Sequence, residues 1–146
     1  MKRGYYGIGI YYGKNTANVG VLWRTAANFD ADFIFTVGKR YQKQHSDVTK
    51  AWRHIPLYTY ESADDFMQHI PHECKLVGVE YDNSATDLKD YKHPERCVYL
   101  LGAEDYGLPP AVLSRCQEII TISSTRCMNV AVAGGVVMYD RQCKRE

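Results

Sequence analysis

Short apolar blocks alternate with longer amphipathic ones along this chain, and no other feature narrows its possible folds so far. Tyr5–Tyr12, Asp32–Val37, Leu57–Tyr60, Lys75–Val79, Cys97–Leu101 and Glu118–Ile122 read as strands, rich in β-branched and aromatic residues. Between them lie helical patterns. Asn18 is placed to cap a helix whose apolar positions Val21, Leu22, Thr25 and Phe29 recur at three to four. Ser62 precedes Asp64 and Asp65, acidic residues suited to a first helical turn. Pro109-Pro110 opens a third helix, and Met128–Tyr139 reads as a fourth with small residues on it. Gly13–Ala17, 38–50, Asp82–Pro94 and Gly102–Leu108 read as connections. Such alternation predicts an α/β fold, a mostly parallel sheet flanked by helices on both faces. Cys97–Leu101 is apolar throughout, as a strand buried on both faces must be. Folds of this class bind ligands at the carboxyl ends of their strands, so the loops after Tyr12, Val37, Val79, Leu101 and Ile122 are where chemistry is expected.

Size and composition set limits. The chain has 146 residues, which suits a single domain over 1–146 with no appended second domain. No apolar run approaches the roughly 20 residues of a membrane helix, and the basic start lacks a small-residue cleavage site. Cysteines stand at 74, 97, 116, 127 and 143, an odd number with no CxxC. They suggest a reduced, cytoplasmic chain without a zinc site, and all but Cys127 read as small buried hydrophobes. The net charge is +1, but it is unevenly spread. Residues 1–53 carry nine basic and three acidic side chains, whereas 54–113 carry four and eleven. A polyanion partner would meet the basic third.

Two apparent motifs fail. Gly7, Gly9 and Gly13 resemble a dinucleotide loop, but the spacing is one residue too long and two of the glycines lie inside the strand. His69 and His72 are separated by the helix breaker Pro71 and have no further ligands nearby, so no metal site is expected. Most of the twelve tyrosines fall in strands; Tyr41 and Tyr106, in loops, are the candidates for stacking on bases.

Three segments carry more information. In the first, Asn18 is followed six residues later by Arg24, then by Ala26 and Ala27. In the second, the strand ending at Leu101 runs into Gly102, Glu104, Gly107 and Leu108. In the third, the strand ending at Ile122 runs into Arg126, Cys127, Met128 and Asn129, then Val130, Ala131 and Ala133. In this order and at these separations they resemble the three motifs of the SpoU/TrmH family of the SPOUT superfamily, RNA ribose 2′-O-methyltransferases. The resemblance covers residues 5–141.

That resemblance implies a C-terminal deep trefoil knot, a homodimer, and S-adenosylmethionine as cofactor without a metal or a membrane. Val79, Gly102, Ile122, Cys127 and Met128 would hold the cofactor. Arg24 would act on the ribose 2′-OH, with Asn18, Glu104 and Asn129 holding it and the loops. Because arginine side chains stay protonated in proteins, an arginine is a better orienting and charge-stabilising group at such a site than a base. Lys14, Lys39, Arg40, Lys43 and Arg126 would contact RNA phosphates, with tRNA expected before rRNA. Three positions depart from the family pattern: Cys127 replaces a serine, Asp30 a glycine and Ser123 a proline. They carry the alternative reading, a catalytically silent knotted RNA-binding module.

Overall fold

The computed structural model describes residues 4–38, 54–103 and 106–145. The apolar blocks form one parallel sheet. Its strands are β1 (Tyr5–Tyr11), β2 (Phe33–Val37), β3 (Leu57–Tyr60), β4 (Lys75–Val79), β5 (Thr86–Asp87), β6 (Arg96–Leu101) and β7 (Glu118–Thr121). Their spatial order is β3-β2-β1-β6-β4-β7-β5. The helices are α1 (Thr16–Asn28), α2 (Ala63–Gln68), α3 (Pro110–Leu113) and α4 (Val130–Lys144). Every pairing is parallel; β6 is held at the centre, with Gly7 opposite Val98 on one side and Gly78 opposite Leu100 on the other.

Because β6 is covered on both sides, its residues divide between two cores. Cys97, Tyr99 and Leu101 face α1 and α4 together with Ile8, Leu22 and Met138. Val98 and Leu100 face the opposite way, toward Phe35, Phe66 and Val112. Each fully buried aliphatic or aromatic side chain here stabilises the fold by about 1.5–3 kcal/mol relative to exposure. The strand glycines serve this packing. A Cβ at Gly7 would lie 2.2 Å from the Phe33 ring, and one at Gly9 would lie 2.4 Å from the Phe35 carbonyl oxygen.

Several local expectations are corrected. Asn18 does not cap α1. Asn15 does, its extended backbone letting the side chain accept from Ala17 N at 2.9 Å, and Asn18 is buried within the first helical turns. The buried stripe of α1 is Val19, Leu22, Trp23 and Ala26, while Val21 is exposed and Thr25 and Phe29 are half-buried. The 82–94 connection is not a plain loop. It contains β5 and a 3-10 turn, Leu88–Asp90, with Leu88, Tyr91 and His93 buried. Helix α4 runs past Tyr139 to Lys144 because Arg141 finds buried partners there. Cys143 is exposed, and Cys74 and Cys116 are half-buried, so only Cys97 is a fully buried thiol.

Candidate active site

Among the described residues, the carboxyl-end loops following β4, β6 and β7 converge. They enclose a cleft of about 750 Å³ that Val79, Gly102, Ile122, Cys127 and Met128 all line. Its position follows from topology. The chain order changes direction between β6, β4 and β7, so successive loops part there and leave a crevice at the strand ends.

Glycines bring backbone up to the cleft wall. A Cβ at Gly102 would come within 2.7 Å of the Gly107 backbone. Gly107 has φ +62° and donates to Ala103 O at 2.8 Å. A Cβ on Gly107 would lie 1.9 Å from Glu80 Oε2. This carboxylate, just past the end of β4, accepts from Leu108 N at 2.7 Å through one oxygen and from Tyr81 N at 2.9 Å through the other. One side chain therefore sets the spacing of two cleft walls. Sequence reasoning passed over Glu80; the available signal was a carboxylate immediately after a buried strand. Glu104, the acid expected in that role, lies outside the described residues, as do Lys39, Arg40, Lys43 and Tyr41.

The first and third motifs meet at the starts of two helices. Asn129 caps α4, its Oδ1 accepting from Ala131 N and Val132 N at 2.9 and 3.2 Å. Its Nδ2 donates to Asn18 Oδ1 at 3.1 Å, which joins the start of α4 to the start of α1. Arg24 stands apart. Six residues separate it from Asn18, about 9 Å along a helix axis and on a different face. It is half-buried and is not among the described residues lining the cleft. Lys14 and Arg126 are exposed; Arg126 lines the cleft mouth, and the Lys14 ammonium lies 5.7 Å from the centre of the Tyr106 ring.

Two of the three departures are absorbed locally. Asp30 takes the left-handed conformation, φ +58°, which a glycine enters without strain and an aspartate tolerates better than most residues. Ser123 donates its hydroxyl to Asp87 of β5, pinning the third-motif loop. That bond, with one from Lys89 N, lowers the Asp87 pKa. Burial pushes the Cys97 and Cys116 thiols up to about 11, so neither is a nucleophile at neutral pH.

A second hollow, about 510 Å³, runs along the outer faces of α1 and α4 between Val21, Phe29, Val136 and Tyr139. It contains none of the glycine loops. Among the described residues there is no cluster of three or more metal-ligating side chains, and no helix is long and apolar enough to cross a membrane.

A model of the SpoU rRNA Methylase family matches residues 9–139. Over 134 residues, 84% of the chain, the sequence is 30% identical to the tRNA (guanosine(18)-2′-O)-methyltransferase TARBP1 of Mus musculus. The chain spans 8% of that protein's length. A solved structure described for the 2-OH methylation of C/U34 on tRNA superposes with a TM-score of 0.84 at 23% identity, covering 97% of each chain. The SpoU methyltransferase AviRb of Streptomyces viridochromogenes, in complex with the cofactor AdoMet, superposes with a TM-score of 0.85 at 20% identity, covering 99% of this chain and 62% of that one.

Proposed function

Since this chain belongs to the SpoU rRNA methylase family, we propose that it transfers a methyl group from S-adenosylmethionine to a ribose 2′-OH of RNA, with tRNA ahead of rRNA. The observation that carries this reading is the cleft, whose walls offer backbone amides and carbonyls because Gly102 and Gly107 leave no side chain in the way. A cleft of about 750 Å³ fits an adenosine-sized cofactor. Val79, Gly102, Ile122, Cys127 and Met128 would hold it, and Glu80 keeps their loops at the required spacing. S-adenosylmethionine, when bound, supplies a methyl group already activated on a sulfonium sulfur.

The remaining work is positioning and charge. The guanidinium of Arg24 donates to a neighbouring phosphate and to the 2′-oxygen, which lowers the cost of negative charge there while the hydroxyl proton passes to solvent water and the departing methyl leaves the sulfonium sulfur as a neutral thioether. Asn18 and Asn129, bonded to each other, hold the helix starts in register. Lys14 and Arg126 contact phosphates, joined by Lys39, Arg40 and Lys43.

Arg24 is not on the cleft of its own protomer, which supports a homodimer whose partner brings the two together. The apolar hollow on α1 and α4 is the matching surface, and its exposed Val132, Val136 and Tyr139 suit burial against a second copy. The C-terminal knot has support of its own. The chain leaves β4, passes outside β7 as β5, and returns through 88–95 to β6 at the sheet centre. Along that path it bonds to both ends of the segment it would encircle, Ser123 through Asp87 and α4 through Arg141 and Lys144. Five unpaired cysteines support a reducing compartment, the cytoplasm.

The test is transfer of labelled methyl from S-adenosylmethionine to unmodified bulk tRNA and rRNA, with Arg24→Ala beside the wild type. Label is expected in 2′-O-methylated nucleotides. Arg24→Ala should reduce transfer by about 100-fold or more with S-adenosylhomocysteine affinity unchanged. Absence of both transfer and cofactor binding would overturn the reading and leave the silent module.

A further inference from the structure

Two large aromatic side chains stand almost fully in water at the mouth of the cleft. Tyr106 is 84% exposed and Tyr81 is 81% exposed, and both line the same opening. Neither belongs to either core cluster. Their backbones are nonetheless tied down. Tyr81 N donates to Glu80, and the two residues after Tyr106 are held, Gly107 N donating to Ala103 O and Leu108 N to the same carboxylate. The backbone beside each ring is therefore anchored, which limits the ordering cost of binding something flat. Lys14 lies over one face of Tyr106, 5.7 Å from its centre, and Arg126 lines the cleft beside it. An open aromatic face flanked by cations suits an unpaired base together with its phosphate. Duplex RNA hides its base faces in the stack and cannot use such a surface.

Resting on the reading of this cleft as an RNA methyltransferase site, we infer that Tyr106 is the platform on which an unpaired base of the RNA substrate stacks. Lys14 meets the adjoining phosphate and Tyr81 supplies a second aromatic surface across the opening. The substrate class is accordingly a nucleotide in a loop or single strand. Tyr106 is a positioning residue that acts through the base and leaves the cofactor's hold unchanged.

The probe is a fluorescein-labelled single-stranded RNA oligonucleotide of mixed sequence, titrated by anisotropy with S-adenosylhomocysteine present. The same oligonucleotide annealed to its complement serves as the duplex control. Wild type is expected to prefer the single strand. Tyr106→Ala should weaken it about tenfold or more, since base–aromatic stacking is of that size. Tyr106→Trp should restore binding, and Tyr106→Leu should not. The slope of affinity against salt should be unchanged in Tyr106→Ala and shallower in Lys14→Ala, because only the lysine releases counterions. S-adenosylhomocysteine affinity, measured by calorimetry, should be the same in every variant. Equal binding of single strand and duplex, unaltered binding in Tyr106→Ala, or a parallel loss of S-adenosylhomocysteine would each overturn the inference. Wild type that binds S-adenosylhomocysteine but not the oligonucleotide overturns the platform and leaves the methyltransferase reading standing. Wild type that binds the oligonucleotide through Tyr106 but not S-adenosylhomocysteine does the reverse.

Discussion

The two ends of α4 are built for opposite purposes. At its start, Cys127 and Met128 line the open cleft, and the chain is held there by the hydrogen bonds of the exposed Asn129. At its end, Arg141 is buried among several acceptors. It donates to Pro94 O at 2.7 Å, Glu95 O at 3.0 Å and Tyr99 Oη at 3.0 Å, and lies over the Tyr6 ring. Tyr99 Oη also meets His93 Nδ1, whose other ring nitrogen meets Asp140, which pairs with Lys144. A buried polar network is tolerable only when fully satisfied, and this one joins the 88–97 segment to the last turns of the chain. The same helix thus carries ligand-binding groups at the end where backbone is left accessible and stability at the end where nothing is. Rigidity at one end lets the other stay open without the helix drifting.

The contrast can be broken from either side. The largest effect should come from Arg141→Leu, which leaves two carbonyls and the Tyr99 hydroxyl without their donor. A loss of about 3–5 kcal/mol is expected, seen as a fall of roughly 10 °C or more in thermal midpoint. The folded fraction should still bind S-adenosylhomocysteine normally. Gly102→Ala should do the opposite. Its Cβ meets backbone at 2.7 Å, so 107–108 must shift. S-adenosylhomocysteine binding should be lost, with a stability cost of about 1–3 kcal/mol, both readable in one calorimetric series. Glu80→Gln retains one acceptor for the two backbone amides, and should weaken cofactor about tenfold through misplaced loops, near 1.4 kcal/mol.

The smallest effect is a dependence on acid. Burial holds the His93 pKa below the ordinary imidazole value, outweighing the pull of Asp140 in the other direction. The unfolded chain therefore takes up the proton first as pH falls. Stability should decline as pH drops below about 6.5, level off once the folded imidazole is also protonated, and be flatter in His93→Gln. Thermal melts at a series of pH values would check this. A cofactor affinity that fell in step with stability would erase the separation between the two ends.

Much of the sheet was legible because a parallel strand buried on both faces has few alternatives to an unbroken apolar run, and Cys97–Leu101 is such a run. The order of strands was not. The crossing that places β6 between β1 and β4 depends on contacts far apart in the chain. The start of α1 was misplaced because Asn15 and Asn18 both suit a cap, and the choice falls to the one whose backbone is extended. The stripe Val21, Thr25 and Phe29 has the right helical period, yet it lines the outer hollow, with only Phe29 also packed against the core. Periodicity reports that a face is apolar without saying what will cover it. The same limit hid Glu80, whose role arises only because a loop 28 residues further along turns back to it.

Taken alone, the sequence determined the class of fold, every strand of the described sheet except β5, and the three loop-bearing segments, since these follow from period, turn chemistry and residue type over short spans. Only the tertiary structure decided which of the described carboxyl-end loops share a cleft, that Asn18 and Asn129 face each other, and that Arg141 is buried. The physical reason is common to all three. Each depends on contacts between elements far apart in the chain, and those are fixed by packing which no local pattern encodes.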